Sequence, residues 1–338
     1  MRKLRLIALA LTALFFAAAC DVHELPYGEP RVDVTLHLSY DYDMPQYRTV
    51  EFTKAGDDTQ YQTRYVVKLF KYTSEDYSHA ASYEFIYYSS ELDNLDRTVK
   101  FQCEPAHYRV EIWTDYVLAN STADLFYNPS DFSEVTLTSS YEGNNIRRDA
   151  FYGALEADLS TLLSTESTYE DTIHLARPLA RYNLISTDKE QFLDYWVQQL
   201  AIRSGTMVKV DRSSLDLNKF RVRFVYPQYL PSAFNLHSDR PVDSRTGVKF
   251  DALMSVREDG DVDLGFDYVM VGGETEGKVI VSLELYDQDD TYISTISNIE
   301  VPLMRSHQTT VIGKILTSGI SSGVSIDPTF DGEFVIQI

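Results

Sequence analysis

The stretch "VDVTLHLSY", residues 32–40, alternates apolar and polar side chains along its whole length. Its apolar positions are Val32, Val34, Leu36, Leu38 and Tyr40. Successive side chains of a β-strand point to opposite faces of the sheet, so this alternation collects the apolar side chains on one face. The stretch therefore predicts a strand that has one face in a hydrophobic core.

The same period of two recurs along most of the chain. In the first half it appears in "RYVVKLFKY" (64–72), "TVKFQC" (98–103), "YRVEIWTDYV" (108–117) and "SEVTL" (133–137). In the second half it appears in "KFRVRFVY" (219–226), "VDLGFDYVMV" (262–271), "KVIVSLELYD" (278–287), "YISTISNIEVPL" (292–303), "TTVIGKIL" (309–316) and "FVIQI" (334–338). Many short strands separated by polar turns are typical of antiparallel sandwiches.

One segment has a helical period instead. Phe192, Leu193, Trp196, Val197 and Leu200 recur on one helical face, which predicts a helix near 188–203. The sequence thus predicts an all-β protein of two tandem antiparallel β-sandwich domains, transthyretin-like or Ig-like, the second with one helical insertion. A segment rich in Ser, Thr and acidic residues, 156–172, predicts the boundary between them. We place the N-terminal sandwich at 31–158 and the C-terminal sandwich at 172–338.

The N-terminus is typical of an exported protein. Three basic residues come first, and an apolar run too short to span a bilayer comfortably follows. Ala17, Ala18 and Ala19 then precede Cys20, which resembles a bacterial lipoprotein signal although leucine is usual at position 17. We predict a signal peptide at 1–19, a lipidated Cys20 and a flexible tether at 20–30. The alternatives are an ordinary secretory signal and a short N-terminal anchor.

The charge balance excludes one class of partner. The chain of 338 residues has 30 basic and 51 acidic residues, a net charge of −21. Loss of residues 1–19 would remove three basic residues and no acidic residue, which leaves a net charge of −24. Such a surface repels nucleic acid, and no basic stripe offsets it locally. We therefore predict no nucleic-acid partner.

Several motifs follow one another along both halves of the chain. In the first half they are "PAHYRVEIWTDYV" (105–117) and "RRDAFYGAL" (147–155). In the second half they include "RPLARYNLISTD" (177–188), "VRFVYPQYLPSAFNLHSDRP" (222–241) and "NIEVPLMRSHQTTVIGKILT" (298–317). Together and in this order they resemble a family of Bacteroidetes lipoproteins of unknown function with fimbrillin-like folds. The resemblance implies tandem transthyretin-like sandwiches akin to fimbrial anchor and accessory subunits. It implies no catalytic residues.

The search for a metal or catalytic site produces one candidate. Asp259, Asp261 and Asp263 stand at alternate positions and could hold a metal ion, although the spacing lacks the glycine and glutamate of an EF-hand loop. The alternative is a hairpin tip at Asp259 and Gly260. The seven histidines are scattered singly, without zinc-ligand spacing. We predict no cofactor and no enzymatic activity.

The remaining chemical candidates are a cysteine and two aromatic clusters. Cys103 lies on an apolar strand face, which predicts a buried, inert thiol rather than a nucleophile. "YEFIYY" (83–88) and "DLFYNPSDF" (124–132) could supply aromatic platforms for a glycan, with Tyr88 and Tyr127 as candidate ligand-binding residues. Tyrosines at strand spacing also serve as core or cross-strand packing.

Together these features predict a non-enzymatic cell-envelope lipoprotein. It would be lipid-anchored in the outer membrane, surface-exposed, and an anchor or accessory subunit of a fimbria-like assembly. The alternative is a surface glycan-binding lipoprotein. The predicted partners are accordingly the membrane, through the N-terminal lipid, and fimbrial or other surface protein subunits or a glycan. Residues 333–338 are predicted to close the second sandwich, or else to form a detachable strand for a neighbouring subunit.

Overall fold

The computed structural model describes most of the chain. The described residues are 30–41, 60–74, 76–90, 97–163, 167–203, 211–273, 276–318, 327–331 and 333–337. The predicted all-β architecture is confirmed, with strands dominating both halves and one long helix in the second half.

Nine of the described strands lie in the first half. They are β1 (Val32–Tyr40), β2 (Tyr61–Lys71), β3 (Tyr83–Ser89), β4 (Arg97–Cys103), β5 (His107–Leu118), β6 (Tyr127–Asn128), β7 (Val135–Leu137), β8 (Phe151–Asp158) and β9 (Ser167–Leu175). A sheet of order β4-β1-β9 lies opposite a sheet of order β3-β2-β5-β8, and their facing side chains form one core. As predicted, the apolar face of β1 is buried in that core from Val32 to Leu38.

The second half continues with strands, two helices and short 3-10 turns. The elements are β10 (Leu179–Ser186), α1 (Lys189–Arg203), β11 (Arg221–Val225), β12 (Leu230–Asn235), β13 (Arg240–Arg245), β14 (Lys249–Leu253), β15 (Ser255–Val256), β16 (Val262–Met270), β17 (Gly277–Tyr286), β18 (Tyr292–Leu303), β19 (Gln308–Gly313), α2 (Ile315–Ser318), β20 (Asp327–Asp331) and β21 (Glu333–Gln337). The sheets are β14-β11-β17-β18 and β15-β16-β10-β19-β21-β20. Their side chains form a second core.

Helix α1 lies at the predicted position. Phe192, Leu193 and Trp196 are buried in the second core, so the apolar face packs against a sheet as expected. The helix starts at Lys189, after Asp188. The buried carboxylate of Asp188 accepts hydrogen bonds from the backbone N–H groups of Thr317 (2.8 Å) and Leu316 (3.3 Å), which stabilises the start of α2.

Parallel strand pairs were not expected from the sequence. Strand β9 pairs parallel with β1, and β19 pairs parallel with both β10 and β21. The sheets that contain them are therefore mixed rather than wholly antiparallel. Strand β21 also pairs antiparallel with β20, so residues 333–337 lie within a sheet of the second half.

Strand β9 is paired with the first half of the chain, although the sequence placed it at the domain boundary. The sequence ended the first domain at residue 158 and began the second at residue 172, but β9 pairs with β1 along its whole length. Strand β8 also reaches β9 closely: a Cβ on Gly153 would lie 2.2 Å from the carbonyl oxygen of His174. We therefore propose that the two halves meet near Pro178.

The halves share a sheet and a core. Strand β7 of the first half pairs with β12 of the second, within a sheet of order β13-β12-β7-β6. A third core lies between the halves and contains Trp113 and Tyr127 from the first and Phe234 and Phe266 from the second. The sequence did not reveal this junction.

A buried ion pair connects the halves at the same junction. Arg148 donates a hydrogen bond from Nη1 to Oδ1 of Asp267, and both side chains are almost wholly buried. The hydroxyl groups of Tyr141 and Tyr226 donate to Oδ2 of Asp267 at 2.6 and 2.5 Å. Burial raises the pKa of Asp267, and the neighbouring Arg148 opposes that shift. We call Tyr141, Arg148, Tyr226 and Asp267 the ionic junction.

Within the described residues, no helix has both the length and the hydrophobicity that a membrane span requires.

Candidate functional site

Tyr127, one of the two aromatic candidates, is wholly buried in the third core. Its hydroxyl donates a hydrogen bond of 2.6 Å to the backbone carbonyl of Arg148. A ring without accessible surface cannot stack on a sugar, so Tyr127 is a structural residue in this fold. The sequence could not reveal this, because the core that encloses Tyr127 includes Phe234 and Phe266 of the distant second half.

Tyr88, the other aromatic candidate, is 37% exposed on strand β3. The even-numbered side chains of this strand, Glu84, Ile86 and Tyr88, are exposed, whereas Tyr83, Phe85 and Tyr87 are half-buried against the first core. Tyr88 therefore stays a candidate for contact with a ligand or a partner.

Of the aspartates proposed for a metal, Asp259 and Asp261 lie at the turn before β16 and Asp263 lies within β16, and the carboxylates of Asp259 and Asp263 have separate partners. Asp259 accepts hydrogen bonds from the backbone N–H of Asp261 (3.1 Å) and from Nε of Arg257 (3.3 Å). Asp263 is buried and accepts from the backbone N–H of Gly265 at 3.0 Å. Within the part of the chain that the structure describes, no three His, Cys, Asp or Glu residues are grouped to hold a metal ion.

Only one of the two cysteines lies among the described residues. Cys20, the predicted lipidation site, lies outside the described residues. Cys103 is fully buried in the first core, as predicted, and burial raises the pKa of its thiol to about 12. Because the thiolate is the reactive form of cysteine, this thiol is inert near neutral pH.

The first sandwich is closed on one side and open on the other. On the closed side, Tyr152 of β8 and Ala176 exchange two backbone hydrogen bonds of 2.9 Å, which join the two sheets. On the open side, β3 and β4 are the edge strands of their sheets. Among the described strands, β3 pairs with β2 alone and β4 with β1 alone.

Tyrosine side chains, rather than strand pairing, connect β3 and β4. The hydroxyl of Tyr87 donates to the backbone carbonyl of Lys100 at 2.7 Å, and the hydroxyl of Tyr83 accepts from the backbone N–H of Glu104 at 3.3 Å. These contacts hold the two sheets together but leave β3 without a second neighbouring strand in the described structure. Strand β3 is therefore a candidate docking edge.

The outer face of β3 is unusually apolar for an edge strand. Ile86 is 47% exposed, and Tyr88 lies two residues further along the same face. Exposed edge strands in soluble proteins are normally protected by charges, prolines or bulges, because an unprotected edge recruits other strands. The β3 edge has a single charged outward side chain, Glu84, which Lys68 approaches at 3.6 Å.

The family is identified by a match over most of the chain. A model for a family of unknown function, DUF6562, matches residues 29–338. The chain belongs to the DUF6562 family. No curated protein matches this DUF6562 chain in sequence.

Several solved structures are similar to the DUF6562 chain. A Bacteroides thetaiotaomicron protein, provisionally described as polysaccharide-binding, has a TM-score of 0.41 at 12% identity, over 79% of this chain and 80% of its own. A Bacteroides eggerthii protein, provisionally described as a cell adhesion protein, has 0.41 at 9%, over 91% and 94%. The fimbrial anchor protein Mfa2 of Porphyromonas gingivalis has 0.38 at 9%, over 78% and 82%. TM-scores below 0.5 do not support an inference about function.

Proposed function

We propose that this protein is a non-enzymatic cell-envelope lipoprotein that serves as an anchor or accessory subunit of a fimbria-like surface assembly. The observation that carries the proposal is the β3 edge, which has an exposed apolar face and no second neighbouring strand among the described residues. The sequence resemblance to fimbrillin-like lipoproteins supports the same function. The partner would be another surface subunit that supplies an extended segment.

Strand addition is physically suited to this edge. A partner segment that lies beside β3 would form a ladder of backbone hydrogen bonds, each worth about 0.5–1.5 kcal/mol net. Alternate side chains of the segment would lie beside Ile86 and Tyr88, which are exposed in this structure. Backbone pairing would supply affinity, and these side-chain contacts would supply specificity.

The distribution of ionisable groups also favours a structural role. Asp115, Arg148 and Asp267 are buried and held in ion pairs, where they connect elements of the fold rather than face a cleft. Catalytic acids and bases need access to a substrate. Their burial therefore favours a binding or assembly function over catalysis.

Attachment of the protein to the outer membrane would depend on Cys20. Each buried methylene of a lipid chain contributes about 0.8 kcal/mol, so two or three chains make the attachment durable. We expect the protein extracted from membranes to have a diacyl or triacyl N-terminus by intact-mass measurement. The Cys20→Ala variant should move to the soluble fraction, and equal membrane retention of both proteins would refute the lipid anchor.

The docking edge is tested by the substitution Ile86→Lys. Lysine on an edge strand opposes strand addition, whereas a side chain that is 47% exposed can become charged without disturbing the core. We expect Ile86→Lys to lose the surface subunits that co-purify with the wild type, at an unchanged thermal midpoint. The matched control is Leu253→Lys on the edge strand β14, where leucine is 54% exposed.

The result depends on comparing the subunits that co-purify with the two variants. Loss of the co-purifying subunits in Ile86→Lys alone supports the β3 edge. Retention of the subunits in Ile86→Lys, or an equal loss in Leu253→Lys, would contradict it.

The second candidate function is a surface glycan-binding lipoprotein. The observation in its favour is the exposure of Tyr88, which leaves part of an aromatic ring accessible. Loss of saccharide binding in Tyr88→Ala, with the co-purifying subunits retained, would favour this function over assembly.

A further inference from the structure

Three aromatic side chains form a compact group at one end of the sheet β3-β2-β5-β8. Tyr72 follows β2, His107 begins β5, and Tyr77 lies in the segment that connects β2 to β3. The ring centroids of Tyr72 and Tyr77 are 5.3 Å apart, and that of His107 is 5.2 Å from Tyr72 and 5.8 Å from Tyr77. We call these three residues the aromatic group.

Hydrogen bonds fix the geometry of the aromatic group. The backbone N–H of Tyr72 donates to the carbonyl of His107 at 2.8 Å, which extends the pairing of β2 and β5 by one residue. The hydroxyl of Tyr77 lies 3.2 Å from Nε2 of His107. The rings are therefore held in place before any ligand arrives, which reduces the entropy that binding would cost.

The aromatic group is accessible from solvent. Tyr72 is 43% exposed, and Tyr77 and His107 are half-buried. Tyr77 also packs against the edge of the third core, which anchors the group, whereas the Tyr72 ring beside it stays accessible. The aromatic group therefore forms a platform at the rim of that core.

Polar side chains surround this platform. Arg109 and Glu156 are cross-strand partners in β5 and β8, and His107 is opposite Asp158 in the same pair of strands. Partial burial raises the pKa of the Tyr77 hydroxyl, and the negative charge of Glu156 raises it further. The carboxylate of Glu156 therefore lies beside that hydroxyl. Glu156 and Asp158 are exposed, and Arg109 is partly exposed. Hydrogen-bond donors and acceptors thus lie around an aromatic surface.

Two other exposed aromatic positions differ from the aromatic group. Tyr286 and Tyr292 have ring centroids 5.9 Å apart and also have arginine and carboxylate neighbours, but the guanidinium carbon of Arg221 lies 3.9 Å from the centroid of the Tyr286 ring and covers that ring. Tyr229 is 74% exposed but makes no ring contact with the described residues. The aromatic group combines three rings with carboxylates and an arginine at one end of the sheet.

We propose that Tyr72, Tyr77 and His107 form a binding site for a neutral oligosaccharide. A sugar ring has an apolar face of C–H groups that stacks on aromatic rings, and hydroxyl groups that need donors and acceptors at its edge. Arg109, Glu156 and Asp158 supply both kinds of partner. A neutral glycan fits better than an acidic one, because the chain has an excess of negative charge.

The site is separate from the β3 edge. Ile86 pairs with Val66 of β2, and Tyr72 comes six residues later, directly after that strand. At a rise of about 3.3 Å per residue, Ile86 and Tyr72 are roughly 20 Å apart. Saccharide binding and strand addition can therefore be tested independently.

The test uses the full chain on a printed array of neutral and acidic oligosaccharides, followed by calorimetric titration with the neutral oligosaccharide that binds best. We expect Tyr72→Ala to weaken that binding at least about tenfold. Tyr72→Phe keeps the ring and should bind like the wild type. The control Tyr229→Ala removes an exposed tyrosine elsewhere and should leave binding unchanged.

Other outcomes would overturn the proposal. They are an array on which no neutral oligosaccharide binds, a preference for acidic oligosaccharides, and unchanged affinity in a Tyr72→Ala variant whose circular dichroism matches the wild type. An equal loss in Tyr229→Ala would also overturn it. Because Tyr72→Ala should keep the co-purifying surface subunits, failure of this proposal is distinguishable from failure of the assembly function.

Discussion

Replacing Asp267 with alanine is expected to lower the free energy of unfolding by about 3–5 kcal/mol. The substitution leaves the guanidinium of Arg148 buried without its carboxylate, since 3% of that arginine side chain is exposed. It also removes the acceptor of the hydroxyl groups of Tyr141 and Tyr226. A buried charge would then lack its partner, and the hydroxyl groups of Tyr141 and Tyr226 would lose an acceptor, which is the costly way to break an ion pair.

Chemical denaturation of purified protein measures this effect. The matched control is Asp251→Ala, which also removes a carboxylate paired with arginine: Asp251 lies 2.8 Å from Nε of Arg223 and 3.1 Å from Nη1 of Arg221 but is 42% exposed. We expect the control to lose about 0–1 kcal/mol, because solvent screens an exposed pair. Equal losses in the two variants would show that the ionic junction contributes no more than a surface ion pair.

Replacing Trp113 with alanine is expected to cost about 3–5 kcal/mol through a different mechanism. Trp113 is fully buried in the third core, where its ring meets Tyr127 edge to face at a centroid distance of 5.3 Å. Alanine would leave a cavity between the two halves. The loss should therefore appear as a lower stability of the whole molecule rather than of the first half alone.

A denaturation curve followed by two probes tests this prediction. Trp196 in α1 reports on the second half by fluorescence, and circular dichroism reports on the strands of both halves. In Trp113→Ala both transitions should move together to lower denaturant concentration. The control Tyr229→Ala, at a position 74% exposed, should stay within about 0.5 kcal/mol of the wild type. A loss below about 1 kcal/mol in Trp113→Ala would contradict the shared core.

The spacing of apolar residues along the sequence predicted which faces of individual elements are buried. The alternation in 32–40 specifies which face of β1 is buried, and the apolar positions from Phe192 to Trp196 specify the buried face of α1. Each needs only that side chains repeat with the period of the element. The burial of Cys103 followed from the same alternation.

Features formed by distant segments were not predictable in this way. Strand β9 has exposed, largely acidic or hydroxyl side chains at its start, so it resembles a linker until its parallel pairing with β1 is known. Arg148 and Asp267 are 119 residues apart. Nothing in the sequence near either residue specifies the other.

The candidate site also depends on pairing between distant segments, which the sequence did not predict. "YEFIYY" (83–88) indicated an aromatic platform or cross-strand packing, with Tyr88 as a candidate, but only the sheet order makes β3 an edge and leaves Tyr88 exposed. Tyr72, Tyr77 and His107 belong to separate elements, and the pairing of β2 with β5 brings Tyr72 to His107. Their proximity depends on that register rather than on any motif.

The most direct measurement of the proposed assembly function is photo-cross-linking in intact cells, with a photoreactive residue placed at position 86 and, as a control, at position 253. Position 86 lies on the β3 edge and position 253 on the similarly exposed edge strand β14. We predict that irradiation links position 86 to a distinct surface subunit, identified by mass spectrometry, while position 253 does not form that product. Absence of a specific adduct at position 86, or the same adduct from both positions, would contradict the account.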